Sequence, residues 1–593
     1  IGNMLPVPFI YLFARKVLEW GKDKKIIGKF FTWCLEKGEK GGEKLKESAG
    51  NSGIFWALLI FVGIPLPGTG AWTGTLAASF LKIDFKTSIA AVTLGVLLAG
   101  LIMSLGSKIV SILGWPGVFA IIAILLVIIL ISIFIFKKLK GRIKMKIFIP
   151  KDVNFIINKF YKNNYEAYMV GGCVRDSILG KEPKDYDITT SSKPDNTILL
   201  FNKTIPTGLK HGTVTVLINN TPYEVTTFRT DGDYLDNRRP SSVNFVTDIK
   251  EDLSRRDFTV NALAYNEITG LIDYFNGVND IQNKIIRCVG DPNKRFKEDA
   301  LRMLRAIRFS CQLSFDIEIN TLNAIKKNYL LISNISNERI RDELCKILIS
   351  PNPSKGLELL KETKLLEIIL PEINSLVGFS PKCTNHNRNV FLHTLKVIDN
   401  TKNNLILRLS ALFHDVGKIN TLTPLNNGSF YGFPGHCLEG SIIAKRILST
   451  LRFDNNTINV VCKLIEHHLV LNVNTMPTKY EVKKLLNSVG KDNIHLLFEL
   501  QRADINSLNN PKPFLKKVGY TEDLVNEIIQ NNEPLVIKDL NIAGNDLING
   551  LGVKPGKLVG EILNYLLEKV LEDSTLNSKE TLLKLSKSFI DNN

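Results

Sequence analysis

Hydrophobic and polar positions follow two different regimes along the chain. Over the first 144 residues they barely alternate. Gly117 to Phe136, GVFAIIAILLVIILISIFIF, is twenty residues without a charge, long enough for a helix to cross a bilayer. Thr87 to Ser107 is a second uncharged span, and the stretch before Leu81 is a third, interrupted by PLPGTG at Pro65 to Gly70. Bare backbone cannot face lipid, so the interruption predicts a re-entrant or discontinuous helix lining a protein-buried cavity. From Met145 onward the pattern is that of a globular protein. HGTVTVLINNTPYEVTTFR alternates apolar and polar residues across a turn at Asn219 to Pro222, which predicts a half-buried hairpin. RFKEDALRMLRAIRF predicts a helix beginning near Glu298.

At 593 residues the chain is too long for one core, so several domains are expected. A formal charge of +17 and a pI near 9.3 favour a polyanionic partner, either nucleic acid or an anionic membrane surface. The eight cysteines include no C-x-x-C pair and no secretory framework, which points to a reducing, cytosolic setting for most of the chain.

The most informative stretch is Tyr168 to Thr190, YMVGGCVRDSILGKEPKDYDITT. The turn at Gly171 and Gly172 opens a helix whose N-terminal amides, with Arg175, suit a triphosphate. In DYDITT, read as a strand, Asp185 and Asp187 leave the same face two positions apart. Such a pair can share two Mg²⁺ ions, one activating an attacking hydroxyl and one steadying a departing pyrophosphate. Cys173 reads as a small packed side chain, and Glu224, on the second strand of the hairpin, as a candidate third acidic group.

With Gly171-Gly172-Cys173-Val174-Arg175-Asp176 followed by Asp185 and Asp187, the chain closely resembles the bacterial-type (class II) CCA-adding tRNA nucleotidyltransferases and their poly(A) polymerase relatives. The resemblance covers nearly all of residues 145–593. It implies tRNA as partner, CTP and ATP as substrates, and addition or repair of the 3′-terminal CCA without a nucleic-acid template. DLSRRDFTVNALAYN, Asp252 to Asn266, resembles the family's ribose-recognition motif, implying that Asp257 meets the ribose 2′-OH and Arg256 holds phosphate. The loop TDGDYLDNRRPSSV, Thr230 to Val243, resembles the element needed for the final A, through Arg238 and Arg239. Asp273 and Gly277 match a motif read as a hinge.

In Glu298-Asp299-x-x-Arg302, Asp299 and Arg302 are expected on one helical face. An acceptor beside a guanidinium donor complements the Watson-Crick edges of C and A and rejects U and G. Arg305 and Arg308 continue the basic face toward nucleotide or tRNA phosphate. Arg339 and Glu343, in NERIRDELCKIL, form an expected i, i+4 pair supporting a helical neck.

Six of the eight histidines fall between His386 and His468. His393, His414-Asp415 and Asp504 have the order of an HD phosphohydrolase, and imidazole with carboxylate suits a divalent transition metal with open water positions. His436 and either His467 or His468, with His467 the representative chosen, could complete a second metal site. The resemblance implies hydrolysis of phosphomonoesters or 2′,3′-cyclic phosphates. Lys554-Pro555-Gly556-Lys557, before a helix, is a candidate contact to the tRNA elbow.

GNMLPVPFIYLFARKVLEW and IPLPGTGAWTG resemble the small multidrug export proteins, over most of residues 1–115. KKLKGRIKMK after Phe136 places that end in the cytoplasm, with membrane contact through residues 54–136. The chain begins at Ile1, which predicts missing upstream sequence, and Met145 reads as the natural start of a free-standing enzyme. A membrane-tethered fusion and two neighbouring genes read as one are both open.

The expected architecture is multidomain: an all-α transmembrane module (1–144), an α/β polymerase-beta-like nucleotidyltransferase head (145–290), an all-α neck (291–380), an HD domain (381–510) and a tRNA-binding helical tail (511–593). A poly(A) polymerase, or an A-only or CC-only relative, is the nearest alternative. A membrane transporter with a non-catalytic RNA-binding tail is the alternative of another class.

Overall fold

The computed structural model describes residues 4, 6–22, 24, 32, 55–65, 70–81, 83–105, 107–108, 111, 114, 147–232, 242–381, 389–425, 430–471, 475–508 and 510–591. The span Gly117 to Phe136, the basic segment after it, and Arg238 with Arg239 lie outside the described residues. The chain divides into two compact units, Ile1–Lys144 and Met145–Asn593.

In the first unit, helices occupy Val7–Gly21, residues 55–63, Ala71–Phe80 and Phe85–Leu105. The second and third of these flank the expected PLPGTG interruption. A small core forms around Val7, Leu58, Val62, Ala78, Ala91 and Val92. Tyr11 joins two helices by edge-on contact with Phe85, ring centroids 5.3 Å apart, and its carbonyl accepts from Ser79 Oγ at 3.1 Å. Phe85–Leu105, at 21 residues, is long and apolar enough to span a membrane and is mostly uncovered within the unit. Leu94, Leu97, Leu101 and Met103 are exposed along it.

The second unit begins with an amphipathic helix, Lys151–Lys162, whose Val153, Ile156, Ile157 and Phe160 are buried. The strands that follow in the head include β1 (Ala167–Val170), β2 (Ile188–Thr190), β3 (Thr204–Gly208), β4 (Thr213–Ile218), β5 (Thr221–Thr227), β6 (Arg229–Asp231), β7 (Val243–Phe245), β8 (Leu263–Asn266) and β9 (Gly270–Asp273). Seven make one sheet in the order β3-β4-β5-β2-β1-β8-β9. The β2–β5 pair is parallel, and the other pairs in this sheet are antiparallel.

The hairpin is where the alternation puts it. Asn219 and Asn220 turn it with φ of 51° and 64°, the left-handed geometry that two-residue hairpin turns require. The segment Thr230 to Val243 is not loop throughout, since its ends pair as β6 and β7, Thr230 opposite Asn244 and Asp231 opposite Val243. Residues beyond the sheet are mostly helical, and one apolar core runs through Phe160, Phe258, Phe296, Phe413, Phe498 and Leu566.

Candidate active site and candidate metal centre

Gly171 turns the chain from β1 into the helix Gly172–Ile178 with φ 81°, a region that side-chain-bearing residues rarely adopt. A Cβ there would also lie 3.0 Å from Arg256 Nη1. The Gly171 amide donates to the Leu263 carbonyl at 3.0 Å. It is therefore spent on joining β1 to β8 and cannot hold phosphate, contrary to expectation. Gly172 and its successors, at the helix start, carry the amides left without intrahelical partners. Arg175 lies beside this turn, its Nη2 3.6 Å from where a Cβ on Gly172 would stand, bonded to Asp176 at 2.9 Å and to Asn261 Oδ1 at 2.6 Å.

Asp185 and Asp187 precede β2 instead of lying within it, but the Asp187 carbonyl accepts from Val170 N at 3.0 Å and so continues the pairing. Both are exposed, with Tyr186 between them turned inward. The parallel register of Ile188 with Val225 sets Asp187 beside Glu224 on the neighbouring strand, one residue before each partner. Packing around the Asp187 carboxyl raises its pKa; Arg256 opposes the rise, while Asp185 and Glu224 add to it. Three acidic groups thus come together at the β2–β5 pair in the middle of the sheet. This carboxylate set, facing solvent beside a free helix start, fits Mg²⁺ carrying a nucleotide triphosphate.

Arg256 reaches Asp252 Oδ2 at 3.5 Å, and its buried Nε has no hydrogen-bond partner. Its Nη1, beside the Gly171 turn, is a guanidinium donor of the kind that suits a phosphate oxygen. Asp252 escaped the sequence reading. Fully buried, it binds Arg255 at 2.7 Å as well as Arg256, and burial, which would raise its pKa, is outweighed by those two arginines.

Asp257 is buried and held on several sides. Arg305 Nε and Nη2 donate to Oδ2 at 2.8 and 2.5 Å, while Phe258 N and Asn261 Nδ2 donate to Oδ1 at 2.8 and 3.2 Å. Burial alone would raise its pKa, but Arg305 dominates and brings it down to about 2. Arg305 is thus engaged with Asp257, and Asn261 links Arg175 to Asp257. Asp273 accepts from Gly277 N at 2.8 Å and Val278 N at 2.9 Å, closing the turn that was read as a hinge.

The segment expected to read the base departs from its expected geometry. The helix breaks: Pro292–Glu298 ends at Asp299, and a second helix runs Leu301–Leu313. Asp299 lies in the joint with φ −138° and ψ 105°, and its Oδ1 accepts from Leu301 N at 3.1 Å. It is an aspartate starting a helix, so the single-face argument for Asp299 and Arg302 does not apply. Arg339 donates to Asp299 at 2.9 Å, and Arg302 pairs with Glu298 at 2.6 Å while reaching the Arg255 carbonyl at 3.0 Å. Arg308, expected on an open basic face, is not exposed. It is buried against Glu343 at 3.0 Å and over the Phe309 ring at 4.2 Å, where burial lowers its pKa to about 10. Arg339 and Glu343 accordingly do not pair with each other; each ties the neck helix Asn337–Leu348 to the segment around Leu301–Leu313.

A second cluster converges on Asp415. His414 ends the helix Leu405–Phe413, and the turn at Gly417 brings the chain against the next helix. A Cβ on Gly417 would meet the His436 carbonyl at 2.3 Å. Asp415 Oδ2 lies 3.4 Å from His393 Nε2, 3.2 Å from His414 Nε2 and 2.6 Å from Lys418 Nζ. Asp504 Oδ1 lies 3.1 Å from His393 Nε2. Asp415 Oδ1 faces His436 and His468 at 3.7 and 4.0 Å. The cluster uses His468, and His467 turns away to Ser488 Oγ at 2.8 Å.

Each clustered imidazole anchors its Nδ1 outward. His414, His436 and His468 bond the carbonyls of Ala411, Phe433 and Ile465 at 2.8, 2.8 and 2.7 Å, and His393 bonds Ser507 Oγ at 2.8 Å. Four Nε2 atoms aimed at one carboxylate, with Nδ1 fixed from behind, is the second-sphere arrangement of metal-binding histidines. Burial lowers the pKa of His468 to about 3, with His414 and His436 adding to the effect. Burial also lowers His436. Burial opposes the rise of His414, which the Asp415 carboxylate drives. Cys437, beside His436, was missed in the sequence because it belongs to no familiar motif.

Four family models match the chain: "Poly A polymerase head domain" over residues 167–287, "Probable RNA and SrmB- binding site of polymerase A" over 314–376, "tRNA nucleotidyltransferase domain 2 putative" over 436–585, and "Putative small multi-drug export protein" over 1–102. The CCA-adding enzyme of Ligilactobacillus salivarius is 35% identical over 445 residues, covering 74% of this chain and 96% of that enzyme.

The chain belongs to the CCA-adding enzymes.

The Streptococcus agalactiae CCA-adding enzyme is 33% identical over 440 residues, covering 73% of this chain and 96% of that enzyme. The crystal structure of the Bacillus stearothermophilus CCA-adding enzyme in complex with CTP superposes with a TM-score of 0.54 at 28% identity, covering 74% of this chain and 98% of that one. The reading of a transporter with a non-catalytic tail falls with this membership. The head is a polymerase-beta-like nucleotidyltransferase, and a mostly helical region follows it, as in the CCA-adding enzymes.

Proposed function

We propose that residues 145–593 add or repair the 3′-terminal CCA of tRNA from CTP and ATP without a nucleic-acid template, as their family membership implies, and that the head carboxylates perform the chemistry. The observation that carries the residue-level reading is the set of Asp185, Asp187 and Glu224 where β2 meets β5, together with the Arg256 guanidinium beside the Gly171 turn. Mg²⁺ on Asp185 and Asp187 would supply charge neutralisation and an activated 3′-hydroxyl. The chain's own groups do the positioning. Gly172 and the following amides, with Arg256, take the triphosphate of the incoming nucleotide. Asp257, oriented by Arg305 and Asn261, meets the ribose. Asp299 and Arg302, each fixed by an ion pair to Arg339 or Glu298, read the base. Ion-paired side chains lose little further freedom on binding, so the template is set before the nucleotide arrives. The tRNA 3′-oxygen then attacks the α-phosphorus in line and pyrophosphate leaves.

Arg238 and Arg239 act in the final A addition on this reading, and Lys554 to Lys557 contact tRNA. Lys557 itself pairs with Glu561 at 3.1 Å while remaining almost wholly exposed. The catalytic part works in the cytoplasm. The cluster around Asp415 holds a divalent transition metal and serves an HD-type phosphohydrolase activity on phosphomonoesters or 2′,3′-cyclic phosphates, a reading supported by its donor set and second sphere. Residues 54–136 anchor the chain in a membrane, supported by the uncovered helix Phe85–Leu105 and the export-protein match.

The test is incorporation of labelled CTP and ATP, separately and together, into tRNA lacking CCA. C, C and A in order support the proposal, whereas A-tailing of generic RNA or absence of CMP overturns it. Asp185→Ala abolishes incorporation and leaves the phosphohydrolase intact. Membrane fractionation with the same assay on each fraction tests the anchor.

A further inference from the structure

The carboxylate of Asp415 separates two donor sets of different softness. On its Oδ2 side stand His393, His414 and Asp504, whose donor atoms all lie within 4.8 Å of one another. On its Oδ1 side stand His436, Cys437 and His468, equally close together. The second set contains sulfur.

Its spacing suits a tetrahedral ion. With Zn–S near 2.3 Å and Zn–N near 2.0 to 2.1 Å, the sulfur-to-nitrogen edge of a tetrahedron is about 3.6 Å. Cys437 Sγ lies 3.7 Å from His436 Nε2. The rings of His436 and His468 stand 5.3 Å apart at 70°, each anchored from behind through Nδ1 to a carbonyl. Asp415 Oδ1, 3.7 Å and 4.0 Å from the two Nε2 atoms, supplies a fourth donor. Cys437 opens the same helix as His436, His436–Thr450, so the close approach at Gly417 that seats His436 also seats the thiol.

We propose that Cys437 is a thiolate ligand, making the second site a Cys-His₂-Asp zinc site joined through Asp415 to an all-nitrogen-and-oxygen site at His393, His414 and Asp504. This rests on reading the cluster as a metal centre. Thiolate selects zinc over harder divalent ions, so the two positions differ in what they hold and how readily they exchange it. The second ion, with four protein donors, is the resident one. The first position is the one that a hard ion such as Mn²⁺ can enter.

Cobalt(II) reports both positions at once in the full-length chain, stripped of metal and reconstituted. Nitrogen and oxygen donors give weak visible bands, and a thiolate adds a strong near-ultraviolet charge-transfer band. The expected result is both signals, with Cys437→Ser losing the charge-transfer band, keeping the visible bands of the first site, and Cys462→Ser changing neither. Cobalt binding without the charge-transfer band, or a band that survives Cys437→Ser, overturns the thiolate ligand and leaves the metal centre standing. No cobalt binding overturns both. Should Cys437→Ser fail to fold, the unaltered chain still decides: zinc should slow iodoacetamide alkylation of Cys437 at least about tenfold, read by peptide mass spectrometry. Equal rates with and without zinc contradict the proposal.

Discussion

Asp185, Asp187 and Glu224 stand toward solvent at the central β2–β5 pair of a sheet, whereas His393, His414, Asp415, His436 and His468 are buried among helices. Both groups are suited to metal, yet their surroundings differ in kind. Carboxylates open to solvent leave a path by which an ion can arrive and leave with each nucleotide. A buried carboxylate needs compensation at all times. Asp415 has it from Lys418 and the imidazoles, which together outweigh the rise that burial would cause and hold its pKa well below the usual range. Burial raises the Asp504 carboxyl, but its hydrogen bond from His393 and the neighbouring imidazoles hold it low as well. On the proposed reading, the head site is suited to exchange and the histidine cluster to a resident ion.

The largest expected effect breaks one side of that contrast alone. Asp187→Ala should lower nucleotide incorporation by at least about 10³-fold, while metal analysis finds the cluster's ion still bound. Chelation followed by Mg²⁺ should sharpen it from the other side. Incorporation returns with Mg²⁺ alone, and the thermal midpoint stays lowered until zinc is restored.

Glu343→Ala removes the partner of buried Arg308 and should destabilise the protein by roughly 3 kcal/mol, measured by denaturant unfolding. Base choice should be unchanged, because Glu343 ties two helices of the neck together through Arg308. Smaller still, and confined to one metal, His468→Ala should remove the second-site ion. His467→Ala should leave metal content unchanged, because its ring is bonded to Ser488.

The smallest effect is one of pH. Asp257 has its pKa depressed to about 2 from 3.8. Its contribution to stability is therefore present above the unfolded value, near 3.8, and lost as pH falls through about 2. Arg305→Ala should flatten the acid limb of the stability profile between those values, measured by thermal unfolding across pH.

The contrast also marks how far the sequence could be read. The spacing of Asp185 and Asp187 carries its own geometry, since alternation along an extended segment needs no tertiary knowledge. Glu224 joins them only through the parallel register of β2 with β5, a pairing that spans 37 residues between Ile188 and Val225. His393, His414 and Asp415 were legible as an ordered motif, but the choice between His467 and His468 was not. They are neighbours just past the helix Asn455–Glu466, and the geometry of that helix end decides which ring enters the cluster.

Asp299 misled because neither proline nor glycine announces the break. The usable signal was an aspartate followed by an apolar helical run, the ordinary start of a helix. Arg308 and Glu343 read as a basic stripe and a local pair, since only packing of two distant helices reveals a buried ion pair.

The central claim is that side chains of the protein choose the base. Incorporation of each of the four ribonucleotides, supplied singly and in competition, should be compared for wild type and Arg302→Ala on tRNA ending before the CCA. The account predicts that wild type accepts C and A and excludes U and G, and that the variant loses about 10- to 100-fold of that discrimination. Unchanged discrimination in a folded Arg302→Ala protein would contradict it.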